Sequence, residues 1–211
     1  MKKTATCLMA ALLLCLMTAV VFAAGADKSA KEQEKIAKEQ AKIVKQRGEI
    51  DELSEKALAR LYEKVPAAER VIENCYAYAT LSNTGVKLGL FGDAHGRGLA
   101  VNNETGERLY MRMKEMGLGL GLGVKEYDLI FVIGTEEAWY SFISGDIKFA
   151  SSAEASANDG VTGDSMEGAS IAAKGVWVYQ ITKKGLALDA SVKGTKIYPD
   201  KKLNQYIEPE E

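Results

Sequence analysis

The sequence predicts an α+β fold: a twisted, largely antiparallel β-sheet with N-terminal helices and one inserted helix, preceded by a signal peptide and a basic helix. Three observations predict it. From Gly85 onward, apolar runs of strand length are separated by short turn-forming clusters, the way successive strands of an antiparallel sheet are joined. Between Ile50 and Tyr76 the apolar residues fall at helical spacing instead. Met116–Val124 alternates glycine with a large aliphatic residue, which is the two-residue period of a strand. With 20 glycines and only 3 prolines, the composition suits a turn-rich β protein better than a disordered chain.

Residues 1–23 read as a signal peptide. Lys2 and Lys3 give its positive end and Leu8–Val21 its apolar run. Val21-Phe22-Ala23 suits a signal peptidase, with Ala24-Gly25-Ala26 as a second site. The apolar run is shorter than the ~20 residues of a spanning helix. Leu14 is too large to precede a lipoprotein cysteine at Cys15. The expectation is therefore an exported chain of the periplasm or cell envelope that is not a lipoprotein. Cleavage removes Cys7 and Cys15 and leaves Cys75, so no intramolecular disulfide can form in an oxidising compartment. Cys75 reads as a small, buried apolar residue.

Residues 24–49 read as a basic helical linker. The segments KSAKEQE, KIAKEQA and KIVK repeat every seven residues, and Lys28, Lys31, Lys35, Lys38, Lys42 and Lys45 recur at alternating steps of three and four. On a helix they form one stripe. Such a stripe ordinarily faces water; it is also a candidate surface for phosphates, weakened by the interleaved Glu32, Glu34 and Glu39. The helical composition lasts until Gly48.

The domain is placed at 50–206, with 207–211 an acidic tail. Leu53, Ala57, Leu58 and Leu61 predict an amphipathic helix over Asp51–Glu63, ended at Val65-Pro66. Pro66 then opens a second helix, reaching about Tyr76. Ala77–Leu81 reads as a short strand. Gly89, Gly92, Gly96 and Gly98 read as a glycine-rich turn region containing His95. Gly98–Val101 enters a strand, Asn102–Gly106 is a hairpin turn, and Glu107–Lys114 leads into the glycine-alternating stretch. Tyr127–Ile133 is a strand. Thr135 caps a helix whose first turn carries Glu136 and Glu137 and whose apolar face carries Trp139 and Phe142. Lys148–Ala157 alternates small and polar residues, and Asn158–Asp164 is a loop. Val176–Ile181, Leu186–Leu188 and Ser191–Ile197 are strands, the first two joined by a Lys183-Lys184-Gly185 turn.

Glycine inside a strand is costly, because it orders a floppy backbone and packs nothing. Gly117, Gly119, Gly121 and Gly123 therefore predict a face that something approaches closely: a helix, another sheet or a lipid chain, the helix being the ordinary case. The residues before them alternate too. Arg108, Tyr110, Arg112 and Lys114 share a face with Met116, Leu118, Leu120, Leu122 and Val124. As one straight strand this face would run from cationic to aliphatic, as a lipid does. The stretch is longer than the usual ~3–10 residues, so two strands, or one bent near Glu115, is the favoured reading.

Charge is nearly balanced, at 27 basic and 29 acidic residues, which gives no nucleic-acid signature. A single histidine, His95, leaves little room for a nucleophile–histidine arrangement. No clustered His, Cys or carboxylate pattern calls for a metal, and neither a dinucleotide fingerprint nor a P-loop is present. No cofactor is expected, and the chain reads as non-enzymatic.

The order of features resembles the SYLF domain family. The matching pieces are ALARLYEKVPAAERVIENC (Ala57–Cys75), GLFGDAHGRG (Gly89–Gly98), MGLGLGLGV (Met116–Val124), DLIFVIGTEEAWYSF (Asp128–Phe142) and KGLALDASVKGTKIYPDKKLNQY (Lys184–Tyr206). The chain departs from the family pattern at Tyr76–Ser82 and around His95 and Arg97. The resemblance implies non-enzymatic lipid binding. In an exported chain this means an anionic phospholipid or membrane surface, with the lysine stripe and Arg108, Arg112 and Lys114 as the headgroup contacts. The alternative is a structural envelope protein whose glycine face mediates self-assembly or docks an envelope partner.

Overall fold

The computed structural model describes the backbone of residues 2–88, 91–118, 123–147, 149, 168–182, 185–187 and 195–205. It describes side-chain surroundings for 31–82, 96–114, 127–147, 149, 168–182 and 195–205. The fold is α+β, as the sequence predicts. Helix α1 is Lys2–Lys64 and α2 is Ala67–Asn74. Four strands follow: β1 Ala77–Leu88, β2 Phe91–Asn102, β3 Arg108–Leu118 and β4 Gly123–Ile133. Helix α3 is Glu136–Ser144. Then come β5 Ser170–Ala173, β6 Val176–Thr182, β7 Gly185–Ala187 and β8 Thr195–Pro199, and a last short helix, α4, Lys201–Asn204. The chain divides into two compact units, Met1–Lys45 and Gln46–Glu211.

The helix expected to stop at Gly48 runs on through it, and α1 also absorbs the helix expected over Asp51–Glu63. A single glycine costs a helix interior about 1 kcal/mol, too little to break a helix flanked by good formers. The break comes where proline enforces it. Pro66 cannot donate to Tyr62 and begins α2.

The strands form one antiparallel sheet in the order β5-β6-β4-β1-β2-β3-β8, and β7 shares with β5 the outer edge of β6. The β1–β2 hairpin is in register from Ala77↔Asn102 to Leu88↔Phe91. It lies between β3 and β4. The glycine-alternating stretch is therefore not one strand at the sheet centre. Met116–Leu118 ends β3, Gly123 opens β4, and two strands separate them. This bears out the two-strand reading and removes the continuous cationic-to-aliphatic face.

The glycine-rich "turn" around His95 is a strand: Gly92, His95, Gly96 and Gly98 all lie in β2. Here glycine is required by close approach. A Cβ on Gly98 would sit 1.7 Å from the carbonyl oxygen of Thr80 on β1, closer than any atom pair tolerates. The expected hairpin turn after β2 is present. Asn102 Oδ1 accepts from the backbone N–H groups of Glu104 and Thr105 at 2.9 and 3.0 Å, and Gly106 takes φ 73°, in the left-handed region.

Each face of the sheet has its own core. On the inner face lie Ala77, Ala79 and Leu81 of β1, Met111 and Met113 of β3, Leu129, Phe131 and Ile133 of β4, and Val176 and Val178 of β6. Helix α3 fills this face with Ala138, Trp139 and Phe142, and the Phe131 and Phe142 rings tilt at 58° with centroids 5.3 Å apart. The cap that sets α3 is the expected one, with Thr135 Oγ1 accepting from Ala138 N at 3.2 Å. On the outer face Ile130 and Val132 of β4 and Tyr179 and Ile181 of β6 pack under Ala57 and Leu61 of α1 and Ala68 and Ile72 of α2. Strand β5 and helix α4 were not expected from sequence. Expectations over 150–164 and at Lys148, Lys183, Lys184, Leu188 and 191–194 lie outside the described residues.

Candidate anion-binding surface

Period-two alternation puts Tyr110, Arg112 and Lys114 of β3 on the outer face, because Met111 and Met113 between them belong to the inner core. Part of that face lies under α1, which is held there by polar contacts. Arg60 donates through Nε and Nη2 to Asp128 Oδ2 at 2.9 and 2.5 Å, and Ser82 Oγ donates to the other carboxylate oxygen at 2.6 Å. Buried Thr80 donates to buried Ser54 at 2.7 Å. Asp51 receives Arg108 Nη2 at 2.9 Å and the Tyr110 hydroxyl at 3.3 Å. Burial first, and Asp51 second, push the Tyr110 hydroxyl up from its ordinary value. Arg47 donates to the Leu203 carbonyl of α4 through Nε at 3.0 Å and Nη2 at 2.5 Å, and its guanidinium lies 5.2 Å from the Tyr110 ring centre.

On the same face a second row is cationic. Arg97 of β2 is the direct cross-strand partner of Arg112 of β3. Lys114, two residues on, is the direct partner of Lys196 of β8. Directly opposed residues share a face, with Cβ atoms ~4.5–5.5 Å apart. Four cations thus stand together on three adjacent strands. Arg97, Arg112 and Lys196 are exposed and Lys114 is half-buried. Asp200 is the described acid that reaches this group, and it takes Arg112 Nε at 2.5 Å. Arg97, Lys114 and Lys196 make no hydrogen bond or ion pair among the described residues.

Of the expected headgroup residues, Arg108 helps seat α1 through Asp51, whereas Arg112, held by Asp200, and Lys114, facing Lys196, stand together in the cationic row. Arg97 and Lys196 are additions that sequence reading missed; strand alternation gives a face but not the neighbour across the gap. Of the lysine stripe, Lys31, Lys35, Lys38, Lys42 and Lys45 are exposed on α1, Lys38 pairing with Glu34 at 2.6 Å; the side chain of Lys28 lies outside the described residues. Gly117 pairs with Gly92 across β3–β2, and Gly123 pairs with Lys87 across β4–β1. Gly119 and Gly121 lie outside the described residues. Cys75 is half-buried, its thiol donating to the carbonyls of Ile72 and Ala77 at 3.2 and 3.1 Å. Burial pushes the thiol up to about 11, the opposite of an activated nucleophile. Among the described residues no three His, Cys, Asp or Glu side chains converge as metal ligands.

Comparison with known proteins agrees with the resemblance read from the sequence. Residues 114–207 match the family model Ysc84, described as Las17-binding protein actin regulator. A curated relative, beta cell expansion factor A of Aeromonas veronii, is 33% identical over 159 residues, which is 74% of this chain and 58% of that protein. The chain thus spans little more than half the length of that relative.

Proposed function

Because the chain belongs to the Ysc84 family, whose domain is the SYLF domain, we propose that it is an exported, non-enzymatic protein of the bacterial envelope that binds anionic phospholipid through basic residues. The family is one of lipid-binding and actin-regulating domains. An exported chain meets membrane lipid and not actin, so the lipid branch of that activity is the relevant one. The observation that carries the reading is the pair of like-charged cross-strand neighbours, Arg97–Arg112 and Lys114–Lys196. Directly opposed like charges destabilise a sheet, by roughly 0.2–1 kcal/mol a pair. Asp200 offsets part of this at Arg112, while no described acid reaches the Lys114–Lys196 pair, so the row favours an anion. The exposed lysines of α1 add a second cationic surface on the other unit of the chain.

Flotation of the full chain with vesicles tests this. Binding to phosphatidylcholine vesicles containing phosphatidylglycerol, weakened by salt, is expected, because exposed charges are screened within ~10 Å at 0.1 M salt. Equal behaviour with neutral and anionic vesicles sinks the proposal. Replacing Arg97, Lys114 and Lys196 with glutamine, against replacing the stripe lysines, assigns the binding to one unit or the other.

A further inference from the structure

Resting on that reading of the outer face, we infer that the cationic cluster is a built phosphate site in which Asp200 is a positioning residue. It holds the Arg112 guanidinium by its Nε, so that the terminal amino groups grip a phosphate flanked by Arg97, Lys114 and Lys196.

Asp200 is nearly buried, at 4% exposure, and fixed from several directions. Its Oδ1 accepts the backbone N–H groups of Lys202 and Leu203 at 3.0 and 3.3 Å, capping α4. Its own N–H donates to the Tyr110 carbonyl at 2.8 Å. Asn204 closes the segment onto β3 twice, donating to the Tyr110 carbonyl at 2.8 Å and accepting from its N–H at 2.9 Å. Arg47 holds the Leu203 carbonyl. The remaining oxygen, Oδ2, receives Arg112 Nε. The carboxylate is therefore in place whether or not Arg112 engages it, and it constrains the arginine.

Arginine has five N–H donors in a rigid plane. Only the Nε donor meets Asp200, which leaves four on the terminal nitrogens, and the side chain remains 49% exposed. A planar fork presented at a fixed angle suits two oxygens of one phosphate. Asp200 is buried while the Arg112 side chain is half exposed, so the pair fixes the arginine at its inner end and leaves the outer end of the guanidinium in solvent. Strand register also sets three further cations on the same face, Arg97 directly opposite Arg112 and the Lys114–Lys196 pair two residues along. Holding the fork in advance spares the rotamer entropy that a loose arginine loses on binding.

Two substitutions separate this from diffuse attraction. Arg112→Lys keeps the charge and loses the fork. Asp200→Asn keeps the α4 cap, since asparagine caps as well as aspartate, and makes the cluster more positive. Diffuse attraction leaves Arg112→Lys unchanged and tightens Asp200→Asn. The held fork weakens both, Arg112→Lys by about tenfold for one lost charge-assisted bond and Asp200→Asn severalfold. The probes are inorganic phosphate, titrated against backbone amide NMR shifts, and phosphatidylcholine vesicles carrying phosphatidic acid, with the full chain and folding checked by circular dichroism. Weakening on vesicles alone assigns the site to a headgroup; weakening in both arms assigns it to phosphate as such. Vesicle binding by Arg112→Lys at full strength, with tighter binding by Asp200→Asn, overturns the inference and leaves the membrane reading standing. Phosphate binding that needs Arg112, with no binding to vesicles, does the reverse.

Discussion

The two faces of one sheet are built on opposite rules. On the inner face small residues line β1 and β2 (Ala77, Ala79, Gly98, Ala100), and large ones from β4 and α3 (Phe131, Trp139, Phe142) fill the space above them. Among the described residues, the inner positions of these strands are set by shape, and none carries charge. The outer face is most apolar where β4 and β6 pass under α1 and α2, and Leu99 of β2 is buried on that face too. Across β1, β2 and β3 it turns polar, through the Asp128–Ser82 bond to Arg97, Arg112 and, on β8, Lys196. The same strands therefore hold the fold together on one side and leave like charges opposed on the other. Stability is concentrated inside, where a one-atom change is felt, and the outer cationic row gives up a little stability.

The sharpest way to break this contrast is Gly98→Ala. One added carbon on the inner face would lie 1.7 Å from the Thr80 oxygen, with the Leu81 Cα at 2.9 Å. Both contacts are backbone, so no side chain can swing aside and β1 and β2 would have to part. The expected loss is at least ~4 kcal/mol, at the extreme of single substitutions, and urea denaturation should find the variant largely unfolded. An unchanged midpoint would show that the β1–β2 approach is looser than described. At the opposite end of the scale stands Lys196→Glu on the outer face. It turns the Lys114–Lys196 repulsion into attraction and should stabilise the domain by ~0.2–1 kcal/mol. The same variant should bind anionic vesicles more weakly. If it is both more stable and a weaker binder, the outer row trades stability for binding; a loss of stability would refute that trade.

Local chemistry was legible in the sequence and lateral pairing was not. The Thr135 cap, the Asn102–Gly106 turn, the Pro66 break and the strand ending at Ile133 each follow from a few adjacent residues. Strand alternation also gave the correct face for Arg112 and Lys114. What alternation cannot give is which strand lies alongside. The order β4-β1-β2-β3 puts a whole hairpin between the two halves of the glycine-alternating stretch. The Arg97–Arg112 and Lys114–Lys196 pairs join residues far apart in the chain. The surroundings of the glycines at Gly117, Gly119, Gly121 and Gly123 lie outside the described residues. Among the described glycines, the one whose added Cβ would run into immovable backbone is Gly98, and the neighbouring Thr80 and Leu81 backbone of β1 makes it so, which no pattern within β2 reveals. Strand β5, a short Ser-Ile-Ala-Ala segment, and α4 have too little pattern of their own and exist by pairing with β6 and by the Asp200 cap.

The gentlest probe of the contrast lies within the outer face, between its apolar and cationic halves, and uses thiol chemistry as a reporter. Cys75 packs against the apolar half, beside Ile72, and burial lifts its thiol from an ordinary value near 9 to about 11. An unfolded chain would lose that proton earlier. Between pH 9 and 11 the folded state thus holds a proton that the unfolded state has released, and stability should fall as pH rises through that window. Below pH 9 the shift has no effect on stability. A cysteine placed on the cationic half by Lys196→Cys meets the opposite surroundings, exposed and facing Lys114 with Arg112 on the next row. Neighbouring positive charge favours a thiolate. Alkylation by iodoacetamide at pH 8, read by peptide mapping, should therefore modify the introduced cysteine first and leave Cys75 largely intact until urea unfolds the chain. Comparable rates at the two sites would mean that Cys75 is less shielded than its burial implies. The cationic row is tested by salt: its pull on the introduced thiolate should be screened at about 1 M salt, slowing that cysteine, and a rate unchanged by salt would remove the physical basis of the four-cation surface.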